Sequence, residues 1–164
     1  MSSTGSADAG LRIGVAHHFG WAVVVTADAA HEVVDRRRIE LIEPGVATAP
    51  IHHEGADLDD AAVADLLAEV RAWPDDFPTD LATLRRTPYE AQADSVMYRE
   101  ILAADARARG WEVPVFDAKT TEAEAAAVLG SRADDVLHGP RARLGPPWNK
   151  DHRIALAATV VAAG

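Results

Sequence analysis

Apolar residues near the start of the chain follow the pattern of three short strands. The segments are Leu11 to Ala16, Trp21 to Ala27 and His31 to Ile42. The second segment is rich in valine and suits a buried strand, whereas Ile39 and Leu41 in the third alternate with charged residues, so that one face is buried. Short links between the segments predict a three-stranded antiparallel meander.

An amphipathic helix is predicted from about Leu58 to Trp73. Its apolar residues fall on one stripe with acidic residues opposite, and Pro74 ends it. The stretch that follows, residues 74–87, is interrupted by prolines and is expected to hold at most a short helical turn.

A second helix is predicted by a capping box, in which Thr87 is followed by Glu90 and Pro88 takes the first helical position. Gly110 is the expected C-terminal stop. The apolar side of this helix consists of Tyr89, Ala93, Val96, Met97, Ile101 and Ala104.

The C-terminal third begins with a predicted fourth strand, Trp111 to Phe116. It is expected at an edge or a bulge, because the proline within it cannot donate to a ladder. Thr121 with Glu124 then predicts another capped helix, which ends near Gly130. For the last helix, Asn149 is the predicted N-cap.

The last helix should place Asp151 in its first turn, where the helix dipole favours an acid. Residues 154–163 are apolar nearly all round, so most of this helix should be buried. Two prolines precede Trp148, which we interpret as a packing anchor for the helix, with the lining of a pocket as the alternative. Trp73 and Trp111 stand at element ends and are expected in the core.

A chain of 164 residues is expected to form one domain, residues 11–164, after a flexible tail, residues 1–10. No run of about 18 apolar residues is present, so no membrane span is expected. The tail lacks the basic and apolar regions of a secretory signal, and there is no cysteine, which together favour a cytoplasmic location. Any metal would need His, Asp, Glu or water as ligands.

The net charge of −10 makes a nucleic acid an improbable partner, because phosphate binding normally requires a basic surface. Between Glu54 and Asp80 nine acidic residues stand against the single Arg71. Basic residues collect instead between Ser131 and Arg153. A further run, Arg36-Arg37-Arg38, is most simply the exposed part of an edge strand, and a ligand-binding role is the alternative.

Two motifs suggest a family. The segment GVAHHFGWAVVV contains Gly14-Val15 and Gly20-Trp21-Ala22, and the last helix reads DHRIALAATVV. With the order of the elements, these motifs resemble the ribonuclease H-like superfamily, in particular its RuvC-type Holliday-junction resolvases. The resemblance implies an α/β fold in which the N-terminal meander is extended by one or two further strands and helices pack on the sheet.

The catalytic carboxylates of that family do not carry over. Its nucleases place about four carboxylates around two metal ions. Where the family has its first aspartate this chain has Ala16, and of the two acids in the last helix only the first matches, at Asp151, because the second falls on Ile154. Residues 74–87 offer no counterpart of the strand that supplies a glutamate. A divergent metal-dependent nuclease is therefore the least favoured function.

The family's site lies where the first strand ends, beside the start of the last helix. By that resemblance His17 and His18 should lie near Asp151 and His152, and these four are the candidate catalytic residues. A histidine beside a carboxylate can act as a general acid or base near neutral pH. Neighbouring strand residues point to opposite faces, so His17 and His18 should not both be ligands.

Two further sets of side chains extend this candidate site. The candidates for binding a small polar or anionic substrate are Lys150, Arg153 and Trp148. The candidate ligands of a divalent transition metal are His18, His52, His53 and Glu54. Their spacing matches no established metal motif, and the alternative is that these histidines lie in turns and on the surface.

Whether the protein is an enzyme stays open at this point. One interpretation is an enzyme with a rebuilt site of histidine and aspartate in place of the nuclease site. The other is a non-catalytic binding or scaffold protein, whose contact surface would be the acidic helix or the exposed third strand. A homodimer is one assembly that such a surface could form. The histidines cluster where this fold has its site, which slightly favours the rebuilt site.

Overall fold

The computed structural model describes residues 10–46, 48–49, 51, 59–61, 64, 78, 80–86 and 88–164. These residues fall into two compact units. The described part of the first unit is residues 10–16, 22–39 and 114–164, and that of the second lies within residues 17–21 and 40–113.

The predicted meander is confirmed as an antiparallel sheet in the order β1-β2-β3. Its strands are β1 (Arg12–His17), β2 (Trp21–Ala27) and β3 (Val33–Glu40). Between β1 and β2, the His18 N–H donates to the Trp21 carbonyl at 2.8 Å and closes a tight turn, which sets the register of the pair. Gly20 supplies the φ of 82° that this turn requires.

The turn between β2 and β3 uses a residue that is unusual for its conformation. The Asp28 N–H donates to the Glu32 carbonyl and the His31 N–H to the Asp28 carbonyl, both at 3.0 Å. His31 has a φ of 69° in this turn, a left-handed value that glycine adopts more easily. The Asp28 side chain stabilises the turn, because its Oδ1 accepts from two backbone N–H groups, those of Ala30 and Glu32.

Helices make up most of the remaining described chain. They are α1 (Leu81–Leu84), α2 (Tyr89–Ala108), α3 (Thr121–Leu129), α4 (Ala133–Leu137), α5 (Pro140–Leu144) and α6 (Lys150–Val161), with a 3₁₀ turn at Gly130–Arg132. Among the described residues, no helix combines the length and the apolar content that a membrane span needs. The short α1 agrees with the single helical turn expected between residues 74 and 87.

The predicted fourth strand, Trp111 to Phe116, is wrong: no residue of this stretch belongs to a strand. Pro114 has no N–H to donate, and the side chains of Trp111 and Val115 stay about half exposed, at 53 % and 50 %. An apolar stretch that buries neither face gains little from pairing. The expectation that Trp111 belongs to the core is wrong for the same reason.

The helix boundaries were predicted better than the caps. α2 and α3 end as expected before Gly110 and Gly130, which have φ values of 81° and 57°. The predicted cap of α3 is wrong, because the N-cap position is Thr120 and no side chain caps it. The Thr121 hydroxyl instead donates to the Asp117 carbonyl at 2.5 Å.

The predicted start of α2 is also corrected. Pro88 precedes the first helical residue, Tyr89, and provides no side-chain cap, while Thr87 lies outside the described residues. Ile101, assigned to the apolar side of this helix, is 48 % exposed. The helix predicted from Leu58 to Trp73 also lies almost wholly outside the described residues, and within it residues 60, 61 and 64 are helical.

In the first unit, the first strand lies in very close contact with the last helix. A methyl group on Gly14 would stand 1.7 Å from the Ala155 carbonyl oxygen and 3.1 Å from Cγ2 of Thr159. Only glycine permits this approach of strand to helix. The predicted burial of α6 is confirmed by its fully or nearly fully buried side chains, Ala155, Leu156, Ala157, Thr159 and Val160. The neighbouring helix α3 packs against α6.

The second unit has two small apolar clusters. One consists of Ile51, Leu84 and Ala93, with Leu81 packed against it. The other consists of Met97 and Tyr98, with Phe19, Leu41 and Ile42 packed against it. The Tyr98 hydroxyl donates to the Thr48 carbonyl at 2.8 Å, so this buried ring keeps a partner for its polar end.

Candidate functional site

The first turn of α6 holds the residues on which the sequence places most of the site. Asn149 is the N-cap, as predicted, and its Oδ1 accepts from the backbone N–H groups of Asp151 at 3.1 Å and His152 at 3.3 Å. His152 Nδ1 lies 2.7 Å from Asn149 Oδ1 and 3.4 Å from Asn149 N. The two side chains therefore form a reciprocal capping box, with histidine where glutamate or glutamine is usual.

His152 is a buried group of the helix start and is only 5 % exposed. Burial lowers the pKa of its imidazole, and the nearby Arg36 guanidinium lowers it further against the smaller opposite effect of Asp151. Its ring centre is 5.4 Å from that of Trp148. A neutral imidazole that caps a helix and packs on an indole stabilises the fold at this position.

Trp148 is likewise built into the structure. It is 5 % exposed, and its indole Nε1–H donates to the Leu137 carbonyl at 2.9 Å, which ties the segment before α6 to α4. A buried indole normally finds such a partner for its N–H. This burial agrees with the interpretation of Trp148 as a packing anchor for the last helix. The substrate-binding role of Trp148 stays a prediction.

Arg36 is a residue whose role sequence reasoning missed. Its guanidinium donates to the carbonyl of Leu144 at 2.8 Å and to that of Gly145 at 2.9 Å, and it also bonds the next two carbonyls, Pro146 and Pro147. The same guanidinium carbon lies 6.0 Å from the centre of the Trp148 ring. The Pro-Pro pair is the feature of the sequence that could have indicated this role. A loop with few N–H groups leaves carbonyl oxygens that need hydrogen-bond donors from elsewhere in the chain.

The charged residues beside the cap differ in their surroundings. Arg153 Nε lies 2.9 Å from Glu122 Oε1 in a partly buried ion pair between α6 and α3, and His138 Nε2 lies 3.7 Å from the same oxygen. Lys150 is exposed and Asp151 is half-buried. A substrate anion that approached Arg153 would have to compete with a carboxylate already in contact with it.

The position in β1 that corresponds to the first aspartate of the resembled nucleases offers no metal ligand. Ala16, which stands where the resembled nucleases have aspartate, is a buried methyl group. Ile154, in place of their last acid, is half-buried in α6. Among the described residues of the first unit, Asp151 is therefore the side chain that corresponds to a carboxylate of the resembled nucleases.

The doublet His17-His18 consists of two histidines with different surroundings. His17 is the last residue of β1 and is half-buried, and its Nδ1 is buried with no hydrogen-bond partner among the described residues. Burial lowers the pKa of His17, and the nearby His18 and Arg99 lower it further. His18 is exposed in the turn, and its ring stacks on that of Trp21 with centres 4.1 Å apart.

The predicted convergence of the two halves of the site stays a prediction. His17 and His18 belong to the second unit, whereas Asp151 and His152 belong to the first. The second doublet, His52-His53 with Glu54, lies outside the described residues, so of the predicted metal ligands only His18 is described. Within the part of the chain that the structure describes, no three His, Asp or Glu side chains come together to hold a metal ion.

A buried carboxylate in the second unit was also missed. Asp94 on α2 is 1 % exposed, and its Oδ1 accepts from the Ile51 N–H at 3.0 Å. The signal was its position three residues before Met97, on the apolar side of an otherwise regular helical pattern. A polar residue there can only be buried with a hydrogen-bond partner.

Comparisons with known proteins returned no family model, no curated protein and no solved structure that matches this chain.

Proposed function

We propose that this chain has a ribonuclease H-like fold without the two-metal nuclease site, and that it binds a partner protein through the edge strand β3. Support for the fold comes from the antiparallel meander, the helices that follow it and the close approach of Gly14 to Ala155 on the terminal helix. Support for the lost nuclease site comes from Ala16 and Ile154, which offer no metal ligand.

The side chains around the start of α6 argue for a binding protein rather than a rebuilt enzyme. Asn149 and His152 are bonded to each other, Trp148 is bonded to Leu137, and Arg153 is paired with Glu122. A general acid or base must have hydrogen-bonding atoms that face the substrate. The hydrogen bonds found for these side chains are made to other groups of the protein.

The observation that carries the proposal is the exposure of β3. This strand of eight residues is one of the two edge strands of the described sheet, with β2 as its strand neighbour there. Val34 is 59 % exposed, and Arg37 and Arg38 are exposed as well. A long open edge is a template for pairing with another chain, and natural proteins keep one chiefly when they use it or guard it with charge.

The test is a selection of random peptides displayed on phage against three forms of the protein. These are the wild type, Arg37→Glu/Arg38→Glu on β3, and the control Arg107→Glu/Arg109→Glu at the C-terminal end of α2, which makes the same change in charge. We expect peptides enriched on the wild type and on the control but not on the β3 variant. If no peptide is enriched, or if the β3 variant enriches the same peptides, the proposed function is wrong.

The second candidate function is an acid-base or metal site centred on His17, acting on a small polar or anionic substrate. It is favoured by one observation, the buried His17 Nδ1 without a partner among the described residues. Elemental analysis of protein purified without a histidine tag tests its metal form, with His17→Ala and His18→Ala for comparison. A near-stoichiometric transition metal that is lost in either variant would make this candidate the better one, and its absence from all samples would exclude a tightly bound metal.

A further inference from the structure

We infer that the first unit binds a phosphoryl group beside the turn between β2 and β3, through the side chains of His31, Arg12 and Arg132. All three residues belong to the first unit, and none of them is part of the surface proposed above to bind a partner protein. They come from three places in the fold, since His31 lies in the turn, Arg12 on β1 and Arg132 in the 3₁₀ turn after α3.

His31 is held in a conformation that does not suit it. Its φ of 69° is left-handed, and its Nδ1 is buried with no hydrogen-bond partner among the described residues. Backbone strain of this kind clusters at binding and catalytic sites. A neutral imidazole has one donor nitrogen, and Nε2 is the one that a ligand can use, because Nδ1 is enclosed by the fold.

Arg132 lies directly at this turn. Its Nη2 donates to the carbonyl of Ala30, the residue before His31, at 2.9 Å. The side chain is exposed, and this is the hydrogen bond found for it within the described chain. A guanidinium has five N–H donors, so one bond to a carbonyl leaves most of them for a ligand.

Arg12 brings a second positive charge from β1. A β-carbon on Gly10 would lie 3.5 Å from the β-carbon of Ala29, so the start of β1 runs beside the turn. Arg12 is half-buried, and among the described residues its side chain has neither a hydrogen bond nor an ion pair. A guanidinium that is partly removed from water without a counter-ion favours the binding of an anion.

Both arginines act on the imidazole of His31. Burial is the largest cause that lowers the pKa of His31, and the charges of Arg132 and Arg12 lower it further, whereas Asp28 raises it. The imidazole is therefore neutral at neutral pH. An anion bound between the three side chains would offset the two positive charges that act on the ring.

The acids near the turn are engaged elsewhere. Asp28 accepts hydrogen bonds from two backbone N–H groups through Oδ1. Glu32 and Asp135 lie 3.7 Å and 3.0 Å from the guanidinium of Arg143. Within the described chain, no carboxylate is in contact with the two arginines of the proposed site, so their charge is left for a ligand.

A phosphoryl group suits this set of donors better than a carboxylate does. Its oxygens point in several directions and can meet donors from three elements, whereas a carboxylate has two oxygens in one plane. Its charge approaches −2, which matches two guanidinium groups, and arginine is well suited to phosphate oxygens. Inorganic phosphate and the phosphate group of a small ester share this chemistry.

The test is a titration of the full chain with inorganic phosphate at weakly alkaline pH, where phosphate is mainly a dianion. Chloride is exchanged for phosphate at constant ionic strength, and the histidine rings are followed by NMR. The signal of His31 is the one absent from His31→Gly, a variant whose glycine suits the left-handed φ. We expect this signal to shift and saturate, and bound phosphate to raise the pKa of His31 by at least about 0.5.

Substitution of the arginines tests the composition of the site. Arg12→Gln breaks no side-chain contact among the described residues, and it should weaken phosphate binding at least about tenfold, as should Arg132→Gln. The control is Arg141→Gln, which removes the same charge from an exposed position on α5. Arg141 is two residues before Arg143 and so projects from a different side of this helix. The control should change the affinity less than about twofold, and urea unfolding shows whether each variant is folded.

Two further probes define the ligand. Tighter binding of phenyl phosphate than of inorganic phosphate would assign the site to a phosphorylated small molecule, and the reverse order would assign it to free phosphate. Acetate should bind more weakly than either, and equal binding of acetate would overturn the inference. A His31 signal that does not respond to phosphate, or a response that persists in Arg12→Gln or Arg132→Gln, would overturn it as well.

Discussion

The carbonyl oxygen of Ala155 occupies the space that a side chain on Gly14 would need. A β-carbon on Gly14 would be 1.7 Å from that oxygen, far inside van der Waals contact, and the atom it meets belongs to the backbone of a helix. The first strand and the last helix of the chain are therefore held at a distance that glycine alone allows.

Gly14→Ala should destabilise the protein strongly. The strand or α6 must shift to admit the methyl group, and we expect a loss of about 3 kcal/mol or more in the free energy of unfolding, at the upper end for overpacked cores. Val15→Ala, at the exposed neighbouring position of the same strand, should cost less than about 1 kcal/mol. Urea unfolding compares the two, and equal midpoints would contradict the packing of β1 on α6.

Arg36→Met should destabilise the loop before α6. The change keeps much of the aliphatic stem but removes the donors to the Leu144 and Gly145 carbonyls. We expect a loss of about 2 kcal/mol, since hydrogen bonds to a charged donor are worth more than neutral ones. The neighbouring Arg37→Met should leave the urea midpoint close to that of the wild type, because the side-chain partner of Arg37 among the described residues is Asp35 on its own strand, in a solvent-accessible ion pair. A similar loss in both variants would show that charge, rather than the loop contacts, causes the effect.

His31→Gly should stabilise the protein. The left-handed φ of 69° is strained for histidine and natural for glycine, so we expect a gain of about 1 kcal/mol in the free energy of unfolding. Ala30→Gly, one residue earlier in the same turn, is the control and should lower stability because it adds only flexibility to the unfolded chain. Thermal and urea unfolding measure both, and a His31→Gly variant less stable than the wild type would refute this account of the turn.

The protein should lose stability as the pH falls from about 7.5 to about 5.5. Burial lowers the pKa values of His17, His31 and His152 in the folded state, whereas in the unfolded chain each titrates near its ordinary value of about 6.5. Below a pH of about 6.5 the unfolded chain binds protons at these histidines, whereas the folded chain does not yet bind them. The stability present above that pH is therefore lost progressively as the pH falls toward the folded-state pKa values.

The contribution of His152 to this dependence can be isolated. His152→Gln keeps a side chain that can reach back to the Asn149 N–H in the capping box but removes the titrating imidazole. We expect the free energy of unfolding of this variant to fall less than that of the wild type over the same pH range. An identical fall in both proteins would mean that His152 is not held neutral by the fold.

Much of the local structure was predictable from the residues. The three strands, the ends of α2 and α3 at glycines and the Asn149 cap each depend on preferences that act within a few residues of one another. The predicted fourth strand and the predicted cap of α3 were wrong, and in both cases a competing local feature of the chain is present. Pro114 has no N–H to donate within the stretch predicted as the fourth strand, and the Thr121 hydroxyl donates to the Asp117 carbonyl instead of capping α3.

The surroundings of the candidate site residues could not be predicted, because these residues were chosen by type and position along the chain. His152 looks like a reactive histidine in the sequence, and only the structure shows that it is buried against Trp148, near Arg36. His17 and His18 look alike in the sequence, but β1 ends between them. His17 is half-buried at the end of the strand, whereas His18 lies in the turn and stacks on Trp21.

The sequence by itself determined the three strands, the ends of α2 and α3 at glycines and the Asn149 cap of α6, because such preferences are decided by neighbours along the chain. Tertiary structure alone decided that Arg36 would hold the carbonyl of Gly145, 109 residues away, and that Gly14 would touch Ala155. Contacts between distant parts of the chain depend on how elements pack, and no local preference encodes them. They also left the side chains of Arg37 and Arg38 exposed on β3.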